Sequence, residues 1–102
     1  MVIIEAPIFS RLVYDYLNDD EYAALQWALT LHPEMGAIIP GSSGLRKLRW
    51  AIPGKGKRGG LRVIYCWKSK TGEICLLTLY AKNEVADIPR DMLRILKQEI
   101  ES

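Results

Sequence analysis

Two apolar runs, LRVIYCWK (Leu61 to Lys68) and EICLLTLYAK (Glu73 to Lys82), are separated only by the turn segment SKTG. Both are dominated by the residue types that favour strands, and so short a connection makes them antiparallel neighbours. The first run alternates. Leu61, Val63, Tyr65 and Trp67 share one face, while Arg62, Ile64 and Cys66 share the other. The second run is apolar on both faces and reads as a central strand, buried from two sides. A chain built around this hairpin must form a sheet.

The remaining elements are arranged around it. VIIEA (Val2 to Ala6) predicts a strand, closed by Pro7. Phe9, Leu12, Val13, Tyr16 and Leu17 recur at helical spacing. A break at Asn18-Asp19-Asp20 follows, with either Asn18 or Asp19 able to cap a second helix from Glu21 to about Leu31. That helix buries Tyr22, Leu25, Ala28 and Leu29, with Trp27 a further candidate, and ends before Pro33. Met35 to Gly44 reads as a connector. Leu45 to Ile52 alternates imperfectly, because Leu45 and Leu48 are out of phase, and predicts a bulged or edge strand. Asp87-Ile88-Pro89 starts a last helix, with Asp87 or Asp91 near its positive end and Met92, Leu93, Leu96 and Ile100 as its apolar stripe.

The expected order is β-α-α-β-β-β-α over residues 1–102 as a single α+β domain. An N-terminal strand and helical hairpin pack on a small antiparallel sheet, followed by a C-terminal helix. With 49% hydrophobic residues the core needs no disulfide or structural metal. Cys66 and Cys75 both fall in apolar strands, and two cysteines are sparse for a disulfide scaffold, which favours buried free thiols over a cross-strand bridge. The opening MVIIEAPIF lacks the basic region of a signal peptide and no run is long enough to span a bilayer, so the expectation is a cytoplasmic protein with no membrane partner.

The net charge of +2 conceals a polarised chain: residues 1–44 carry −5, residues 45–70 carry +9 without one acid, and residues 71–102 carry −2. The densest part is GKGKRGGLR (Gly54 to Arg62), where Lys55, Lys57, Arg58 and Arg62 stand among glycines. Like charges repel and glycine costs entropy to order, so an external anion is the natural counterpart.

Most catalytic sets are missing. His32, the one histidine, stands at a helix end beside Pro33. The cysteines and this histidine do not form a metal-ligand cluster, and GKGKRGG lacks the spacing of a phosphate-binding loop ending in GK[ST]. What remains is cations beside aromatics: Arg46, Lys47, Arg49 and Trp50 on one strand, Lys55, Lys57 and Arg58 in the loop, Arg62 on the next strand, and Tyr80 and Lys82 at the end of the last. Cations suit phosphates and rings suit unstacked bases. Such a set can also cleave RNA without metal or cofactor. A lysine of depressed pKa deprotonates the 2′-hydroxyl, arginines stabilise the phosphorane, and a tyrosine orients or donates a proton. The same cations would equally serve a solvated face or an acidic partner.

The stretch GLRKLRWAIPGKGKRGGLRVIYCWK, followed by LLTLYAKNEVADI, resembles the RelE/HigB group of toxins from bacterial type II toxin–antitoxin modules. The similarity is to the HigB-like branch, with its GKGKRGG…RxIY…YxKNE motif between Gly44 and Asp87. The resemblance implies a RelE-like fold and a ribosome-dependent endoribonuclease that cleaves mRNA in the A site and inhibits translation. It also implies neutralisation by a cognate antitoxin, often of helix-turn-helix type, with operator DNA bound only through the toxin–antitoxin complex. By motif position, the implied catalytic residues are Lys55, Lys57, Arg58, Arg62, Tyr80 and Lys82. Lysines would position phosphate or move a proton, and Arg62 would stabilise the transition state. Arg46, Lys47, Arg49 and Trp50 form the implied RNA-binding set. A ParE-like gyrase inhibitor and a non-catalytic RNA-binding module are the competing readings.

Overall fold

The computed structural model describes residues 1–51, 60–84 and 87–101, excluding the side chains of residues 100 and 101. Its elements are β1 (Val2–Glu5), α1 (Pro7–Tyr16), α2 (Asp19–Leu31), β2 (Ala37–Ile38), β3 (Leu45–Trp50), β4 (Leu61–Lys68), β5 (Glu73–Ala81) and α3 (Arg90–Glu101). The five strands form one sheet in the order β1-β5-β4-β3-β2. The expected meander β3-β4-β5 is present and antiparallel. Two features depart from a purely antiparallel sheet of four strands: β1 runs parallel to β5, and the short β2 lies outside β3.

Helix starts follow local chemistry. Pro7 occupies the first turn of α1, where its missing N–H costs nothing. Asn18 caps α2 in a reciprocal box: its Oδ1 accepts from the Glu21 N–H at 2.8 Å, and the Glu21 carboxylate accepts from the Asn18 N–H at 2.9 Å. The helix consequently begins at Asp19 rather than Glu21.

Each face of the sheet has its own core. The helical hairpin lays Phe9, Val13, Leu17, Tyr22, Leu25 and Leu29 against Leu48, Leu61, Val63, Tyr65, Ile74, Leu76 and Leu79. On the other face α3 brings Leu93 and Leu96 to Leu45, Ile64, Cys75, Leu77 and Tyr80. Of the expected α3 stripe, Met92 is exposed, and the Ile100 side chain lies outside the described residues. Trp27 is exposed too, on the outer side of α2.

The out-of-phase leucines of β3 have a different cause from the one expected. β3 pairs with β4 residue for residue, from Leu45↔Cys66 to Trp50↔Leu61, without a bulge, and β2 covers its outer edge at Arg46 and Lys47. Leu45 and Leu48 are both buried because both faces are covered. The bulge lies in β5 instead. Ile64 faces Thr78 and Tyr65 faces Leu76, leaving Leu77 as the extra residue. Strict alternation from Leu76 would put Tyr80 under the helical hairpin. The bulge turns it to the α3 face.

Candidate nucleic-acid interface

On that face, at the end of the sheet away from the β4–β5 turn, Arg49 stands opposite Arg62 and Arg62 opposite Tyr80. Three strands thus contribute one row, with Cα atoms of neighbours roughly 5 Å apart. Lys47, two residues before Arg49 and opposite Ile64, continues the same face. Cations directly opposite on adjacent strands are unfavourable by themselves, and an anion seated on them is favoured. The Arg62 guanidinium also donates to the Leu61 carbonyl at 3.3 Å.

Tyr80 is buried, and burial raises its hydroxyl above the ordinary tyrosine value. Lys47 and Arg62 pull it down, and Asp87 pushes it up. At neutral pH the group is therefore a proton-bearing hydroxyl, suited to donate a hydrogen bond rather than to act as a base. Lys47 is held by Asp87 at 3.0 Å, which fixes its ammonium beside the row. Asp87 reads in the sequence as a helix-start residue, 40 positions from Lys47, and its contact with that strand carries no local signal.

Lys82 is exposed just beyond β5, and its N–H points to the Gly60 carbonyl at 3.4 Å. Gly60 has φ of +41°, and a Cβ there would come within 2.6 Å of the Trp50 carbonyl, so only glycine lets β4 begin this close to the end of β3. Lys55, Lys57 and Arg58 lie outside the described residues.

Arg46 and Trp50 do not join the row. Side chains alternate along β3, so both turn to the hairpin face, while Lys47 and Arg49 turn to the α3 face. The Arg46 guanidinium donates to the Gly36 carbonyl at 2.7 Å and to the Glu34 carbonyl at 3.2 Å. Its cross-strand partner Tyr65 donates its hydroxyl to the Pro33 carbonyl at 2.7 Å and accepts from the Gly36 N–H at 2.9 Å. Together they hold the turn between α2 and β2. Trp50 packs half-buried against the hairpin core. Of the four residues of the implied RNA-binding set, β3 thus places Arg46 and Trp50 on the hairpin face and Lys47 and Arg49 on the α3 face.

Elsewhere, Tyr16 donates to Glu84, tying α1 to the turn after β5. This hydrogen bond, with burial, pushes Tyr16 up to about 12. His32 is the C-cap of α2. Cys66 and Cys75 are free thiols opposite each other in the ladder, and burial pushes the Cys75 thiol up.

No protein-family model matches the chain. A solved structure of the E. coli toxin RelE, a double mutant in the free state, is similar to 94% of this chain and 95% of its own length, with a TM-score of 0.57. The fold is RelE-like. At 11% identity this likeness to RelE is one of backbone architecture and carries no side-chain role across. No helix among the described residues is long and apolar enough to cross a membrane.

Proposed function

We propose that the chain is the toxin of a type II toxin–antitoxin module of the HigB-like branch, a ribosome-dependent endoribonuclease that cleaves mRNA in the A site. The observation that carries this reading is the Arg49–Arg62–Tyr80 row on the α3 face of a RelE-like sheet. Three linked strands hold these groups on rigid backbone, where an RNA phosphate would meet two guanidinium groups and a hydroxyl donor.

In this reading Arg62 and Arg49 neutralise the charge that builds on the non-bridging oxygens as the 2′-oxygen attacks. The raised pKa of Tyr80 suits it to orient a phosphate or ribose oxygen by hydrogen bonding. Lys47, engaged by the Asp87 carboxylate, acts as a cation and not as the base. Proton transfer falls to Lys82 and to the motif lysines Lys55 and Lys57, with Arg58 as a further phosphate contact. Without a strong base at neutral pH, the reaction depends on the ribosome to hold the mRNA in line for attack. The partners are therefore mRNA, the ribosome and a cognate antitoxin in the cytoplasm, with operator DNA reached through the antitoxin.

Primer extension on a defined mRNA in a purified translation system tests the reading. Wild type gives new ribosome-dependent 3′ ends, and Arg62→Ala and Lys57→Ala lose them. Intact mRNA at saturating folded wild type removes the enzymatic assignment. Covalent DNA–gyrase complexes in its place would make the chain a gyrase inhibitor.

A further inference from the structure

The cations of α3 have no part in the row above. Arg90, Arg94 and Lys97 recur at a spacing that sets them on one side of the helix, while Leu93 and Leu96 face the sheet. That side borders the turn between β2 and β3, and the two enclose a cleft of about 280 Å³. Gly41, Ser42 and Ser43 form one wall, the three cations form the other, and Leu93 contributes an apolar floor.

The walls are built rather than incidental. Lys97 donates to the Ser43 carbonyl at 2.8 Å, pinning the turn to the helix. Ser42 accepts from the Leu45 N–H at 3.0 Å and donates to the Ile39 carbonyl at 2.6 Å, so its hydroxyl closes the turn. Gly41 adopts φ of +73°, and the Arg90 guanidinium carbon lies 3.5 Å from where its Cβ would stand. A side chain there would be strained by the backbone conformation, and would meet the guanidinium at ordinary van der Waals distance. Arg94 meets Asp91 at 3.6 Å, with both side chains largely exposed, a pairing worth little in water.

Position decides what the cleft can hold. The turn leads directly into Leu45, which shares a face of β3 with Lys47 and Arg49. From Leu45 to Arg49 is about 14 Å along the strand, and Lys47 stands midway. We propose that the cleft is a second phosphate subsite, seating the backbone of an RNA strand that continues from the Arg49–Arg62 row past Lys47. This rests on the RNA-directed reading of the row. It adds Arg90, Arg94 and Lys97 as positioning contacts outside the reaction centre. Two arginines and a lysine around a small cleft of evenly mixed polar and apolar lining match phosphate oxygens.

The test measures binding of 2′-O-methyl RNA, which cannot undergo 2′-hydroxyl attack, to the full chain by fluorescence anisotropy over a range of salt. Oligonucleotides of about three and about ten nucleotides distinguish one subsite from two. Arg90→Gln/Arg94→Gln should weaken the longer RNA roughly tenfold, lower its salt slope by about 1.4, and leave the shorter unchanged. Arg49→Gln/Arg62→Gln should weaken both. Unchanged affinity and slope of the first variant for the longer RNA would overturn the subsite. So would loss of polyglutamate binding with RNA binding retained, which would make the cleft a dock for an acidic protein. Inorganic phosphate serves as a further probe at matched ionic strength. If it binds the wild type but not the first variant, while the longer RNA binds both equally, the cleft is a free-anion site and the RNA assignment fails. Intact mRNA on translating ribosomes, with the RNA-binding loss still seen in the first variant, would remove the toxin reading and leave the subsite standing.

Discussion

Arg46 and Tyr65 stand opposite each other across β3 and β4, and three rungs further on Arg49 and Arg62 do the same. The first pair turns to the hairpin face, where the guanidinium and hydroxyl hold the carbonyls of Pro33, Glu34 and Gly36. The second pair turns to the α3 face, at the end of the sheet that also carries Tyr80 and Lys47. Arginines on the same strand thus have different work because they lie three positions apart, an odd offset that puts them on opposite faces. On the hairpin face Arg46 is consumed in building the fold, whereas on the α3 face Lys47, Arg49 and Arg62 gather beside Tyr80 at one end of the sheet.

Four measurements would break or sharpen this contrast. Leu76→Ala, in the middle of the hairpin core and fully buried, should cost about 2–5 kcal/mol in urea unfolding. A loss below about 1 kcal/mol would mean that this face is not the packed one. Arg62→Ala should do the reverse, lowering cleavage by roughly 10²- to 10³-fold while shifting unfolding by less than about 1 kcal/mol. If its stability fell as far as that of Leu76→Ala, the two faces would not be separable. Tyr65→Phe removes the acceptor for the buried Gly36 N–H and should cost about 1–3 kcal/mol. RNA affinity per folded molecule should stay at the wild-type value, and a drop would place the Arg46–Tyr65 pair in the binding surface.

The smallest effect is in pH. Tyr16 and Tyr22 hold their protons more tightly when folded, Tyr16 chiefly through its hydrogen bond to Glu84 and Tyr22 chiefly through burial, followed by its hydrogen bond to Glu5. Above the ordinary tyrosine value the unfolded chain releases these protons first. Their contribution to stability is therefore complete below about pH 10 and declines as pH rises toward 12. Tyr16→Phe should flatten part of that decline in alkaline urea titrations. An unchanged slope would show that the Tyr16–Glu84 contact does not persist in solution.

Much of this arrangement was legible in the residues themselves. The β4–β5 hairpin, both hairpin helices, the Asn18 cap and α3 follow from short-range rules: period-2 and period-3.6 burial, turn residues and capping side chains act within a few positions. The concentration of cations between Arg46 and Arg62 was equally plain, as was the shared face of Arg62, Ile64 and Cys66. The two-residue β2 carried too little pattern to stand out from its connector. The parallel docking of β1 on β5 depends on partners some 70 residues apart, beyond any local signal.

What the tertiary structure alone decided was which cations and aromatics meet. The sequence by itself determined the order of elements, β2 apart, and a basic centre, because both are written in local periodicity and composition. It could not say that Leu77 would be the extra residue of β5, since a bulge is chosen by how two packed faces fit and not by the strand's own residues. That one residue carries Tyr80 from the hairpin face to the side of Arg62. Asp87 reaches Lys47, and α3 closes a cleft on the β2–β3 turn, for the same reason. Contacts between distant segments are set by how the layers pack, and a linear pattern records only what each layer offers.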